Sequence, residues 1–123
     1  MNNKPALEFL NSIDPVAAES LKQLRQKAPE LVDVLIERLY GEAYQRDKLT
    51  LRERAFVTIA SLAASGNMNP QLATQIRLAL KIGATREELM EVIYQISVFS
   101  GLGCATNAMI IIDAVADKVE ADS

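Results

Sequence analysis

The fold is decided by residues 85–119, which have the sequence TREELMEVIYQISVFSGLGCATNAMIIIDAVADKV. Thr85 and Glu88 have the S/T-x-x-E spacing of a capping box, which predicts a helix start. Apolar residues then recur every three or four positions up to Phe99, which is the period of one helical face. Gly101 and Gly103 predict the end of this helix. The apolar run 108–112 predicts a last helix over about 105–119 that is buried on most sides.

Earlier in the chain, proline residues and capping signals predict further helices. Asp14 and Pro15 are the residue types of an N-cap and a first helical position, which predicts a helix to about residue 27. Thr50 and Glu53 form another S/T-x-x-E pair, which predicts a helix to about residue 65. Further helix starts are predicted at Pro29 and at Asn69 with Pro70, and these helices end near residues 41–44 and at Gly83.

The apolar spacing after Pro29 predicts one buried helical face, formed by Leu31, Leu35, Ile36, Leu39 and Tyr40. No segment alternates polar and apolar residues with a period of two. The sequence therefore predicts an all-α fold, a compact bundle of five to seven helices.

Length and charge distribution predict how the chain is organised. With 123 residues, the chain has room for a single domain over residues 1–123. Residues 1–48 hold 15 of the 29 charged side chains, 13 basic plus 16 acidic, and are predicted to form amphipathic N-terminal helices. Residues 49–123 hold the other 14 charged side chains.

Composition excludes several classes of function. A net charge of -3 does not favour binding to nucleic acid. The chain has no histidine, which excludes serine–histidine and cysteine–histidine nucleophiles within one chain. The single cysteine, Cys104, excludes an intrachain disulfide and a cysteine-rich zinc site. No metal or cofactor is predicted, and a cytoplasmic location is expected because no signal-peptide pattern is present.

Residues 92–112 form a stretch of 21 residues without a charge, which is nominally long enough to span a bilayer. The glycines at 101 and 103, together with Gln95, Thr106 and Asn107, argue against a membrane span. A small domain with two nearly charge-free helices is expected to bury them partly against other subunits. We therefore expect a homo-oligomer. The alternative is a monomeric bundle with the last helix at its centre.

Three segments carry a resemblance to a known family: LTLRER at 49–54, QIRLALKIGATREELMEVI at 75–93, and FSG at 99–101 followed by NA at 107–108. They resemble the carboxymuconolactone decarboxylase family, which shares the alkylhydroperoxidase D-like fold. The resemblance implies a core over residues 49–115 that assembles into a trimer or hexamer. It also implies a pocket near helix–helix and subunit boundaries that takes a small-molecule ligand.

The chain departs from the family pattern at the positions that carry its chemistry. Gln75 and Gln95 stand where the resemblance places histidines, and Met68 and Gln71 stand where the reductase branch has its C-x-x-C pair. The sequence therefore keeps the scaffold and lacks the usual reactive groups.

The two amides are candidate ligand-binding residues. Helical phase places Gln75 on an apolar flank, where a buried amide needs hydrogen-bond partners. The same geometry is expected for Gln95 beside Val92 and Phe99. Each amide either orients a ligand or is a structural residue whose hydrogen bonds are satisfied within the protein.

Charged residues give weaker candidates. Glu53 matches the glutamate that the resemblance links to a proton relay, but it also fits the N3 position of a capping box. Arg52 and Arg54 are candidates to hold an anionic substrate, or are solvated surface charges. Arg77 matches the family motif and lies on the polar side of its helix, from which it could reach a neighbouring subunit.

Cys104 and Tyr94 complete the set of candidates. Cys104 follows the glycine break, near a predicted helix start, where the helix dipole favours a thiolate. Inert packing is the alternative for this residue. Tyr94 is a candidate proton donor if its pKa is tuned, or an amphipathic interface residue.

Three functions follow as hypotheses. The first is decarboxylation or proton transfer on a small anionic cyclic acid or lactone. The second is a non-catalytic oligomeric protein that binds a small molecule. The third is a peroxidase that depends on Cys104 and, without a second cysteine, on an external reductant.

Overall fold

The computed structural model describes residues 3–123, which form helices and no strand. There are seven α-helices: α1 (Lys4–Ile13), α2 (Pro15–Lys27), α3 (Pro29–Leu35), α4 (Leu51–Ser65), α5 (Asn69–Lys81), α6 (Arg86–Ser100) and α7 (Leu102–Ala121). A π-helix (Ile36–Glu42) and a short 3₁₀ helix (Ala43–Gln45) continue directly from α3. The prediction of an all-α fold with five to seven helices is confirmed.

The chain divides into two compact units, residues 1–50 and residues 51–123. In the first unit, Asp14 caps α2 by accepting a hydrogen bond from the amide of Val16 at 3.2 Å. The predicted helix 15–27 is therefore confirmed. Asp33 accepts hydrogen bonds from Arg25 and from Asn3. The hydrogen bond from Arg25 is the main reason that the pKa of Asp33 is lowered.

The predicted buried face after Pro29 was wrong at Leu31 and Leu35. Leu31 is 72% exposed and Leu35 is also exposed. The buried residues are Val32, Ile36, Tyr40 and Tyr44, each four positions after the last. A π-helix closes its hydrogen bonds over five residues instead of four, so positions four apart stay on one side through this segment. The rings of Tyr40 and Tyr44 stack, with 5.7 Å between the ring centroids.

The second unit packs α4, α5, α6 and α7 around one core. Ile59, Ile76, Leu89 and Ile112, one from each helix, are completely buried. The predicted capping box of α6 is confirmed, because Thr85 Oγ1 accepts from the amide of Glu88 and Glu88 accepts from the amide of Thr85. Gly83 adopts the positive φ, +103°, expected after the end of α5.

One prediction about the last helices was wrong. Gly103 lies inside α7, which begins at Leu102, and Gly101 alone ends α6, with φ +98°. Within the single chain, α7 packs against the core along one stripe that contains Ala108, Ile112 and Ala116, and Met109 and Ile110 are exposed. Burial of α7 on most sides, expected partly against other subunits, therefore stays a prediction. In residues 3–123, no helix combines the length and apolarity that a membrane crossing requires.

Candidate functional site

Arg52, in the first turn of α4, contacts both the segment before α6 and the first turn of α6. Its guanidinium forms an ion pair with Glu88 and donates a hydrogen bond to the carbonyl of Gly83 at 3.2 Å. It also lies over the ring of Phe56, with 5.1 Å between Cζ and the ring centroid. Both polar contacts are with acceptors of the protein itself. Arg52, predicted as a candidate to hold an anion, thus has its charge compensated by Glu88.

Glu88 serves two partners at once. One of its carboxylate oxygens accepts from the amide of Thr85 in the capping box, and the other pairs with Arg52. The N-terminus of α6 is therefore fixed both to its own first turn and to α4.

A groove runs between α4 and α6, beside this ion pair, and we call it the α4–α6 groove. It has a volume of about 480 Å³. Its apolar walls are Phe56, Val57, Ala60, Val92 and Ile96, and its polar lining residues are Glu88, Glu91 and Gln95. This groove was not predicted from the sequence, although the spacing 56, 57, 60 on α4 is the signal of a common helical side.

The two candidate amides lie in different environments. Gln75 is buried in α5, with 7% of its surface exposed, so its predicted enclosure is confirmed. Gln95 is exposed and lines the α4–α6 groove, so its predicted enclosure was wrong. The core side of α6 contains Leu89 and Ile93, and Gln95 lies about 200° around the helix from Ile93 at 100° per residue.

The remaining charged candidates are distributed over α4 and α5. Glu53 is exposed and precedes Phe56 by three residues, which places both on one side of α4. Arg54 and Arg77 are half-buried. The capping of α4 by Thr50, and the roles of all three charged residues, stay predictions.

Cys104 and Tyr94 are not brought together by the fold. Cys104 is half-buried in the first turn of α7, and its Sγ lies 3.8 Å from the carbonyl oxygen of Ala64. Tyr94 is 74% exposed on α6. Tyr94 is thus on the surface of the chain, while the thiol packs against the end of α4.

Arg86 is a further site of charge pairing that sequence analysis missed. It hydrogen-bonds Asp117 and Asp113, both at 2.7 Å, and Glu120 at 3.2 Å. These bonds, that to Asp117 above all, raise the pKa of Arg86. The spacing 113, 117, 120 places the three carboxylates on one side of α7, which is the sequence signal for this cluster. The hydrogen bonds of Arg86 connect the start of α6 to the second half of α7.

Across residues 3–123, no three histidine, cysteine or acidic side chains are grouped so that they could hold a metal ion. The second unit is thus a helical frame that carries the α4–α6 groove, and the arginine beside this groove is paired with Glu88.

Comparison with known proteins identifies the frame. The carboxymuconolactone decarboxylase family matches residues 29–114, which is more than half of the chain. The chain belongs to this family. The match begins 20 residues before position 49, where the sequence resemblance began, and so includes α3 and the π-helix.

Two relatives show how similar the chain is to known proteins. The chain is 30% identical over 112 residues to the "uncharacterized 15.0 kDa protein in nqo9-nqo10 intergenic region" of Paracoccus denitrificans, covering 90% of this chain and 77% of that protein. It is 31% identical over 90 residues to the 4-carboxymuconolactone decarboxylase of Acinetobacter baylyi, covering 73% of this chain and 66% of the decarboxylase. The chain thus spans just under two thirds of the named enzyme.

Proposed function

We propose that this member of the carboxymuconolactone decarboxylase family binds a small, largely apolar molecule in the α4–α6 groove, as a homo-oligomer in the cytoplasm. The observation that carries the proposal is the lining of the groove. Five apolar side chains form its walls, and the arginine beside it is paired with Glu88. The groove has a volume of about 480 Å³ and is largely open to solvent in the single chain.

The polar groups of the groove favour a ligand without negative charge. Glu91 and Gln95 lie one helical turn apart on α6 and both line the groove. A carboxylate repels an anion, whereas the amide can donate and accept one hydrogen bond each with a neutral ligand. We therefore expect an uncharged molecule with one polar group, which Gln95 orients.

The homo-oligomer is supported by exposed apolar side chains on α6 and α7. We call Tyr94, Val98, Phe99, Leu102, Met109 and Ile110 the apolar surface; all six are exposed in the single chain. Exposed large apolar side chains on two successive helices are expected to be covered by another subunit. Light scattering would distinguish trimer, hexamer and other states.

Ligand binding is tested with N-phenyl-1-naphthylamine, an uncharged apolar dye whose fluorescence rises in apolar sites. We expect saturable binding to the wild type and at least tenfold weaker binding to Ala60→Phe, because Ala60 lines the groove. Ala114→Phe, on an exposed position of α7, is the matched control and keeps wild-type binding. Equal binding by all three proteins would place the dye elsewhere and refute the proposal.

A second candidate function is decarboxylation or proton transfer on a small anionic cyclic acid or lactone. It is favoured by the relative named 4-carboxymuconolactone decarboxylase. Arg77 of a neighbouring subunit would hold the substrate carboxylate. Gln75 would stabilise the enolate left when CO₂ departs, and Glu53 or Tyr94 would protonate the carbon. Arg54 is an alternative anion-binding residue.

The second candidate is tested by following the absorbance of 4-carboxymuconolactone with the assembled protein. Turnover that falls at least a hundredfold in both Arg77→Ala and Gln75→Ala would establish this chemistry. An unchanged substrate spectrum, with the oligomer confirmed by light scattering in the same sample, would exclude 4-carboxymuconolactone as the substrate.

A further inference from the structure

A second pocket lies in the first unit, between α1 and α2, and we call it the α1–α2 pocket. It has a volume of about 580 Å³ and is partly open to solvent. Seven of the eight described residues that line it are polar or charged. Glu8 of α1 and Lys22 and Arg25 of α2 are among them, together with Asn3 just before α1. The chemistry of this lining is therefore opposite to that of the apolar α4–α6 groove.

Glu8 and Lys22 bring opposite charges to the same pocket without pairing with each other. Within residues 3–123, neither side chain forms an ion pair or a hydrogen bond. Two opposite charges that face one cavity and stay apart can both be compensated by a molecule that carries one charge of each sign. Such a molecule needs a cationic group for Glu8 and an anionic group for Lys22.

Arg25 adds donors to the cationic side of the pocket. It lies three residues after Lys22, which places both on one side of α2. Its Nε and Nη2 donate to the two carboxylate oxygens of Asp33. This pairing orients the planar guanidinium, and its third nitrogen, Nη1, has no acceptor among the described residues. Nη1 can thus donate to an anion that also contacts Lys22.

Asn3 adds an unsatisfied acceptor. The residue is buried, with 9% of its surface exposed, and its Nδ2 donates to Asp33 at 2.7 Å. Since a carboxylate only accepts hydrogen bonds, this contact decides which end of the amide is the nitrogen. The Oδ1 atom is then left buried without a partner in the described part of the chain. Buried polar atoms are normally hydrogen-bonded, so Asn3 points to a ligand that supplies a donor.

We propose that the α1–α2 pocket binds a small zwitterion, an α-amino acid with an acidic side chain. The ammonium of the ligand faces Glu8 and donates to Asn3, and a carboxylate lies between Lys22 and Arg25. The pocket shares no lining residue with the α4–α6 groove, so this inference does not depend on the proposed function.

The acidic side chain of the ligand follows from the charge of the lining. Lys4, Lys22 and Arg25 are basic and Glu8 is acidic, while Asp33 offsets the charge of Arg25. One positive charge is then in excess. An amino acid with a second carboxylate carries one net negative charge and complements it.

The site is tested by equilibrium dialysis with radiolabelled L-glutamate at low ionic strength. We expect saturable binding to the wild type and a dissociation constant raised about tenfold or more in Lys22→Ala. Lys27→Ala makes the same charge change on the same helix, at an exposed position outside the pocket lining, and should bind like the wild type. Circular dichroism at 222 nm confirms that the variants are folded. No saturable binding by the wild type, or equal binding by Lys22→Ala, would overturn the site.

Recognition of the ammonium is tested by competition with glutarate, which has the two carboxylates of glutamate and no ammonium. We expect glutarate to compete with the labelled ligand about tenfold more weakly than L-glutamate does in the wild type. Glu8→Gln should remove this difference by weakening the binding of glutamate alone. Equal competition by the two compounds in the wild type would overturn the zwitterion. Lys22→Ala should bind N-phenyl-1-naphthylamine like the wild type, so failure of the α1–α2 pocket and failure of the proposed function are distinguishable.

Discussion

Arg52 offers the sharpest test of whether the family-like residues of this chain are structural or functional. Its guanidinium contacts Glu88, the Gly83 carbonyl and the Phe56 ring. The ion pair is partly exposed, with 39% and 35% of the two side chains accessible, so it contributes about 0.2–1 kcal/mol. The ring contact adds about 0.5–1 kcal/mol, and the hydrogen bond adds about 0.5–1 kcal/mol.

Arg52→Ala is therefore expected to lower the free energy of unfolding by about 1–2 kcal/mol, since such contributions are not fully additive. Glu88→Gln should cost about 0.5 kcal/mol, because the amide oxygen can still accept from Thr85 while the ion pair is lost. Glu88→Ala also removes the capping bond and should cost about 1 kcal/mol more.

The assay is urea unfolding followed by circular dichroism, at one fixed protein concentration because association contributes to stability. A double-mutant cycle of Arg52→Ala with Glu88→Gln should give a coupling of about 0.5 kcal/mol that shrinks in 1 M salt. Arg52→Lys, which keeps the charge and loses the planar fork, should lie between wild type and Arg52→Ala. If Arg52→Ala instead unfolds like the wild type and loses dye binding, Arg52 is a ligand-binding residue and the structural argument fails.

The other predictions concern the core, two glycines and one carboxylate. Ile112→Ala should cost about 2–5 kcal/mol in urea unfolding, because Ile112 is completely buried. Lys118→Ala, at an exposed position of α7 outside the apolar surface, should cost less than about 1 kcal/mol; similar losses would contradict the described side of α7. Gly83→Ala should lower Tm, because φ is +103° at this position and an alanine there costs about 1–2 kcal/mol. Gly103→Ala should raise Tm slightly, because Gly103 is helical and an added Cβ meets nothing within 4 Å. A rise of Tm in both variants would contradict the positive φ of Gly83. Hydrogen bonding lowers the pKa of Asp33 in the folded protein. The ionised Asp33 side chain therefore contributes fully to the free energy of unfolding above the ordinary aspartate pKa of about 3.9, and this contribution is lost as the pH falls through the lowered pKa. The difference in unfolding free energy between wild type and Asp33→Asn should therefore be constant from pH 5 to 8 and should decrease below about pH 4. A difference that persists undiminished at pH 2 would contradict the direction of the pKa shift.

Local signals allowed most of the helix starts to be predicted from sequence. Asp14 with Pro15 and Thr85 with Glu88 act within one turn, so their effect does not depend on the rest of the fold. The error at Leu31 and Leu35 arose because the series 31, 35, 39 and the series 32, 36, 40 are both apolar and both have a spacing of four, so periodicity alone does not select the buried one. The early start of α7 was missed because one glycine with positive φ was enough to end α6.

The site was less predictable because it depends on how the helices cross. Gln75 could be assigned to the core from the phase of its own helix. Gln95 could not, since almost every residue around it is apolar and helical phase then gives no preferred inward direction. The pairing of Arg52 with Glu88 joins residues 36 positions apart, and the cluster of Arg86 joins residues 27–34 positions apart. Such pairs are set by packing between helices, which a periodicity argument does not describe.

The shared carboxylate of Glu88 has a consequence for protein engineering. Since one side chain closes the capping box and anchors α4, the groove cannot be moved to another scaffold as a set of wall residues alone. A graft would have to carry Arg52, Gly83, Thr85 and Glu88 together as a module, because a missing member leaves either an open helix end or an unpaired charge. Libraries that redesign the groove for new ligands should therefore randomise its walls and hold these four positions fixed.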